Sequence, residues 1–174
     1  MEEMYVRNEM MLEVDAISSN ESLARVAVAA FIAPADPTLE EMSDIKTAVS
    51  EAVTNAIIHG YENLSGYEPA GRRNTKLPEA DAEERTVAGK VQLRCCLESR
   101  RLTIEVEDQG KGIEDIALAM EPLFTTKPQL ERSGMGFAFM EAFMDELTVE
   151  SKPGCGTLVR MKKQLGQAPE GGEA

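Results

Sequence analysis

Within residues 50–60, Ser-Glu-Ala-Val-Thr-Asn-Ala-Ile-Ile-His-Gly, a polar side chain recurs at every fourth position: Glu51, Asn55 and His59. On a helix this spacing keeps a carboxylate, an amide and an imidazole on one slowly drifting stripe. The neighbours are Ala, Val and Ile, so the stripe borders the interior. A buried polar group left without a partner costs roughly 1–3 kcal/mol. Either the three groups satisfy one another, or they face a cleft and hold something in it. A carboxylamide one turn after a carboxylate can place a metal ion beside a base that activates a nucleophile. Both readings stay open on this helix alone.

The pattern around the stripe is that of a small α/β domain. Residues 7–14 read as a first strand, at a sheet edge. Ser18-Ser-Asn-Glu21 is a capping-box sequence. Leu23, Val26, Ala27, Ala30 and Phe31 follow it at helical spacing, and Pro34-Ala-Asp-Pro37 stops that helix. Thr38-Leu-Glu-Glu41 is a second capping box. It starts a helix that runs to about His59, with Met42, Ile45, Val49, Val53 and Ile57 on its apolar side and Gly60 as its stop. Residues 89–98 and 102–107 alternate and are joined by Ser99-Arg-Arg101, an antiparallel hairpin. A short helix is expected at 114–120, a longer one at 134–145 and two last strands at 147–151 and 157–163. Phe137, Met140 and Met144, at helical spacing, read as core. Residues 62–88, with Gly66, Pro69, Gly71 and Pro78 and few large apolar side chains, read as a loop insertion. Residues 164–174 read as a disordered acidic tail. The expected architecture is one domain over 1–163, a two-layer sandwich with a mixed, mostly antiparallel sheet and helices on one face.

Glycines and hydroxyls punctuate the second half. A strand that ends in Asp108-Gln-Gly-Lys-Gly112 turns sharply and lets backbone approach a ligand closely. Asp108 is then either a turn aspartate between glycines or an acceptor for an exocyclic amino group, which adenine offers. Residues 122–133 carry two prolines with Thr125, Thr126, Lys127, Arg132 and Ser133. They form either an exposed polar loop or a lid whose hydroxyls and cations suit phosphate oxygens. Gly134-Met-Gly136 opens a helix, and a glycine-flanked helix start presents free backbone N–H groups to an anion. Gly154-Cys-Gly156-Thr157 lies between the last two strands.

In this order, 51–60, Asp108-x-Gly110-x-Gly112, Gly134-x-Gly136 and Gly156-Thr157 resemble the N box and the three glycine boxes of the histidine-kinase-like ATPase (GHKL) superfamily, which includes gyrase, histidine kinases and MutL. More closely, 50–60, Pro122-Leu-Phe-Thr-Thr-Lys-Pro128 and Leu130-Glu-Arg-Ser-Gly-Met-Gly-Phe137 resemble the anti-sigma-F family of spore-forming bacteria, which are serine-protein kinases. The resemblance covers most of 7–163, apart from a segment near 65–88 where the family's connection is shorter. It implies the histidine-kinase-like ATPase fold, with ATP between helices and lid. It also implies roles. Asn55 would coordinate Mg²⁺, with Thr54 assisting beside it, and Glu51 would be the general base towards a serine hydroxyl. Asp108 would read adenine, with Gly110 and Gly112 making room and Thr157 reaching the adenine side of the pocket. Thr126, Lys127, Arg132, Ser133, Gly134 and Gly136 would close over the phosphates. Arg25 is a solvated arginine on physical grounds alone; the resemblance makes it the contact for the sigma factor and its antagonist.

The implied function is that of a homodimer controlling sporulation transcription. It would hold an RNA polymerase sigma factor inactive and phosphorylate a serine of an anti-anti-sigma protein with ATP. Three alternatives stand beside it: a nucleotide-gated sigma-binding module without kinase activity, a stress-response paralogue, and the ATPase domain of a two-component sensor. Glu51 counts against the first, because a binding-only site needs no base. His59 is the sole histidine, so no acceptor histidine sits on a dimerisation helix, which counts against the sensor. The net charge of −13 argues against direct nucleic-acid binding. Three cysteines, two of them adjacent, do not make a disulfide framework, and one histidine without Cys-x-x-Cys makes a zinc site a poor fit. No apolar run reaches the ~18 residues that span a bilayer, and Met1-Glu-Glu-Met-Tyr5 lacks the basic and apolar regions of a secretory signal. A cytoplasmic chain without a membrane partner is expected.

Overall fold

The computed structural model describes residues 7–61, 89–121 and 135–166. The insertion at 62–88 and the expected lid at 122–133 lie outside the described residues. Five strands form one sheet in the order β1-β2-β3-β5-β4: β1 (Arg7–Asp15), β2 (Lys90–Glu98), β3 (Arg101–Asp108), β4 (Glu146–Ser151) and β5 (Thr157–Gln164). The expectation was a mostly antiparallel sheet, and each of these pairings is antiparallel. β1 is an edge strand, as its sequence suggested. β5 runs one residue past the expected end and Leu165 after it is buried, so the chain stays packed where a tail was expected to begin. Residues 167–174 lie outside the described residues.

Strand alternation puts every second side chain on one face, and the register lines them up in rows across the sheet. One row is Met10, Cys95, Ile104, Met161 and Leu147; the next is Leu12, Leu93, Val106, Val159 and Val149. These rows, with Val14, Val91 and Leu102, are the sheet's contribution to the core. The other face is polar. Arg160 joins Glu105 at 2.7 Å and Glu150 at 3.1 Å across strands, pairs of the kind that stabilise a sheet at its solvent side.

Three helices cover the apolar face: α1 (Ser19–Ile32), α2 (Leu39–Asn55) and α4 (Gly136–Phe143), with α2 packed between the other two. A fourth, α3 (Ile116–Met120), follows the glycine loop after β3, and Asp115 Oδ1 accepts from the Leu118 N–H at 3.0 Å to cap it. The α2 capping box forms: Thr38 Oγ1 accepts from the Glu41 N–H at 3.1 Å, and Glu41 Oε2 accepts from the Thr38 N–H at 2.7 Å. The expected box at Ser18 does not form. Ser18 is already helical and makes no side-chain cap bond. Glu21, its intended partner, instead accepts from the Ser50 hydroxyl of α2 and lies 3.6 Å from Arg25. The buried stripe of α1 also differs from the sequence reading. Ala24, Val28 and Ile32 are in the core, while Leu23 and Val26 are 49% and 62% exposed. α2 buries Ile45, Ala48, Val49, Ala52 and Val53, with Met42 half-buried beside them, and Met140 of α4 and Met144 directly after it complete the core.

Candidate functional site

A third row crosses the sheet on the core face, and it changes character midway. Val14 and Val91 are apolar, but the next three positions in register are Asp108, Thr157 and Ser151. Alternation alone brings these polar groups together at the end of the sheet. Asp108 is 4% exposed. Its Oδ1 accepts from the Gly110 N–H at 2.8 Å. Burial pushes its carboxyl up to about 6, against the lowering effect of the Gly110 and Thr157 backbone bonds. A carboxylate kept in such a place, at a solvation cost, is a recognised mark of a functional site.

Glycines let three backbone segments close around Asp108. A Cβ on Gly110 would stand 1.9 Å from the Gly60 carbonyl oxygen, and one on Gly60 would stand 2.8 Å from Asp108 Oδ1. Gly156 has φ +80°, and a Cβ there would stand 1.9 Å from the Asp108 carbonyl oxygen. No other residue fits at Gly110 or Gly156 without moving backbone. The Lys111 N–H donates to the Gly60 carbonyl at 2.7 Å, which ties the glycine loop to the end of the α2 segment. Thr157 is held from the side by Ser151, whose Oγ lies 2.9 Å from Thr157 Oγ1, donates to the Gly156 carbonyl at 2.8 Å and accepts from the Ile113 N–H at 2.8 Å. Ser151 escaped the sequence reading. Only the strand register, which pairs it with Thr157, marks it out.

α2 does not end as a regular helix. Residues Ala56–Gly60 form a π turn, a widened geometry found frequently at functional sites. It begins directly after Asn55, carries His59 and delivers Gly60 to Asp108. Glu51 and Asn55 lie one turn apart, half-buried on the side of α2 that meets the start of α4. A single point shows the convergence. A Cβ placed on Gly136 would be 3.0 Å from Glu51 Oε2, 3.2 Å from Asn55 Nδ2 and 3.5 Å from Asn55 Oδ1. Thr54 sits beside Asn55, also half-buried. Gly112, with φ +71°, packs against the Lys152 carbonyl, where a Cβ would stand 2.1 Å from its oxygen. Arg25 stands apart on α1, its side chain 40% exposed. Thr126, Lys127, Arg132, Ser133 and Gly134 lie outside the described residues.

The assembly is therefore a carboxylate and an amide over a glycine helix start, with a buried acceptor at the end of a neighbouring strand. It joins one part that can act on a proton and hold a cation to another that can recognise a donor. The fold is that of a histidine kinase-like ATPase domain, whose family model matches residues 16–163. Relatives in full-length alignment carry the comparison further. An anti-sigma F factor of Clostridium botulinum (strain Eklund 17B / Type B) is 54% identical over 91% of this chain and 95% of its own length. One of Thermoanaerobacter sp. (strain X514) is 52% identical with the same two coverages. One of Bacillus subtilis (strain 168) is 47% identical over 94% of this chain and 97% of its own length. A crystal structure of the RsbU and RsbW domains of a Mycobacterium tuberculosis protein shares the fold, with a TM-score of 0.58 at 18% identity, over 91% of this chain and 32% of that one. The chain belongs to the anti-sigma F factor family of histidine kinase-like ATPase domains. Among the described residues no helix is long and apolar enough to cross a membrane.

Proposed function

We propose that this chain binds and inhibits an RNA polymerase sigma factor and uses ATP to phosphorylate a serine of its anti-anti-sigma antagonist, in the cytoplasm and in control of sporulation transcription. The observation that carries the reading is the convergence of Glu51 and Asn55 over Gly136. The site must receive a triphosphate and a serine hydroxyl together, and its groups divide accordingly. Asp108 accepts from the exocyclic amino group of adenine. The N-terminus of α4 offers backbone N–H groups to the phosphates, and Gly136 lets them come close. Thr126, Lys127, Arg132, Ser133 and Gly134 belong to the same phosphate contact by their place in the motif. The donor set at Asn55, a neutral amide oxygen beside a carboxylate, suits a hard divalent cation. Mg²⁺ held there supplies charge neutralisation on the phosphate oxygens. Glu51 takes the proton from the serine hydroxyl as its oxygen forms the bond to the γ-phosphorus. The bond from that phosphorus to the β-γ bridging oxygen breaks, ADP leaves and phosphoserine remains.

Partner contact falls to Arg25 and the surface around it. The edge of β1 and the exposed Leu23, Val26 and Met11 offer hydrogen-bonding and apolar surface suited to a second copy of the chain. A transfer assay with γ-labelled ATP, Mg²⁺ and the antagonist protein tests the reading. Acid-stable label on an antagonist serine, lost in Glu51→Gln while ATP binding persists, is the expected result. Tight ATP binding with no label on any candidate antagonist would replace the kinase with a nucleotide-gated binding module. Arg25→Ala should weaken partner capture and leave nucleotide affinity unchanged.

A further inference from the structure

Tyr61 follows directly on Gly60 and is 3% exposed. A buried phenol must satisfy its hydroxyl, and this one is bonded on three sides. It donates to the Lys90 carbonyl, accepts from the Lys90 N–H at 3.1 Å and accepts from the Gln109 N–H at 3.0 Å. Its ring packs on Gly89, where a Cβ would stand 2.1 Å from Tyr61 Cε1. One side chain thus joins three places: the end of the segment that carries Glu51 and Asn55, the first residue of β2, and the residue next to Asp108. The Gln109 peptide has its N–H fixed by Tyr61, and Gly156 packs against the same backbone so closely that a Cβ placed on it would stand 2.8 Å from the Gln109 Cα. Asp108 itself is covered by Gly60 and bonded by Gly110. The direction of its carboxylate therefore depends on how firmly the Asp108–Gln109 backbone is held.

We propose that Tyr61 is a positioning residue for base recognition. Its hydroxyl fixes the Gln109 peptide, which aims the Asp108 carboxylate and sets the preference for adenine over a base without the exocyclic amino group. This rests on the reading of Asp108 as the acceptor from adenine. A hydrogen bond weakens steeply when its angle opens, so a loosened Gln109 should cost recognition of the amino group. Phosphate contacts at the start of α4 are made by a different segment and should not feel the change.

The test compares the parent chain, Tyr61→Phe and Asp108→Asn in equilibrium titrations with ATP and with inosine triphosphate, which carries a carbonyl where adenine has its amino group. The ratio of the two affinities does not depend on the fraction of folded protein, so partial unfolding of a variant leaves it readable. The parent is expected to prefer ATP, and Asp108→Asn to lose or invert the preference. Tyr61→Phe keeps the ring and should cut the ratio about three- to tenfold, the scale of one net hydrogen bond, with inosine triphosphate affinity unchanged. In the transfer assay its KM for ATP should rise by the same factor at constant kcat. A parental ratio in Tyr61→Phe, or equal losses for both nucleotides, overturns the role of Tyr61 while Asp108→Asn still shows the effect. A parental ratio in Asp108→Asn overturns the reading of Asp108, and the inference with it.

Discussion

Gly136 lies so close to the Glu51 carboxylate that a methyl group in place of its hydrogen would stand 3.0 Å from Oε2, a separation tighter than ordinary contact. The same methyl would meet Asn55 at 3.2 Å. Both neighbours are side-chain ends, so the fold can absorb the change by turning them aside. Alanine is also the better helix former, by up to about 1 kcal/mol in a helix interior. Gly136→Ala should therefore leave the melting temperature unchanged or slightly higher. It should lower serine phosphorylation about tenfold or more, because small misplacements of a base are costly in rate. Thermal unfolding and the transfer assay on one preparation check both halves. A variant with full transfer would mean that Glu51 and Asn55 need not approach α4.

The Asp108 carboxyl gives a pH signature. Burial raises it from the ordinary 3.8 to about 6. The folded state then holds a proton that the unfolded chain has already released between those two values. By linkage, the group's contribution to stability is present below the unfolded value and lost as pH rises through the folded one. At neutral pH the buried charge costs on the order of 3 kcal/mol. Asp108→Asn removes the titration. Its unfolding free energy relative to the parent should thus improve by about that amount between pH 4 and pH 7, as read by urea unfolding at each pH. Nucleotide affinity of the parent should run the other way, flat above neutrality and falling below about pH 6 as the acceptor is protonated. A pH-independent difference between the two proteins would mean that Asp108 is ionised in the fold without penalty.

Much of this site could be read before the structure, for a definite reason. Glu51 and Asn55 follow helix spacing, and Asp108 ends a strand just ahead of its glycines; such local patterns leave a spacing in the sequence. Ser151 and Tyr61 serve long-range contacts. Ser151 matters through its register with Thr157, and Tyr61 through Lys90 and Gln109. Nothing at neighbouring positions records either pairing. The stripe of α1 was misplaced for a related reason. In an alanine-rich helix several stripes look apolar, and α1 turns the one with Ala24, Val28 and Ile32 towards the core. Leu23 and Val26 remain exposed, available for the surface assigned above to partners.

The two capping-box sequences separate a local signal from its tertiary fate. Each offers a hydroxyl and a glutamate three residues on, and only the one at Thr38 is bonded both ways. At Ser18 the glutamate is drawn instead to Ser50 of the neighbouring helix. A side chain that gains a partner across a helix–helix contact gives up the weaker local bond. Thr38→Ala should consequently cost about 1 kcal/mol, while Ser18→Ala should fall within about 0.5 kcal/mol of the parent, as an ordinary surface change does. Chemical denaturation with unchanged slope would report both. Glu21→Ala is the third arm, and it should destabilise more than Ser18→Ala because it releases Ser50 as well as Arg25. Equal losses at Ser18 and Thr38 would mean that Glu21 caps its own helix, and the tie between α1 and the Glu51 helix would have to be carried by the apolar contacts alone.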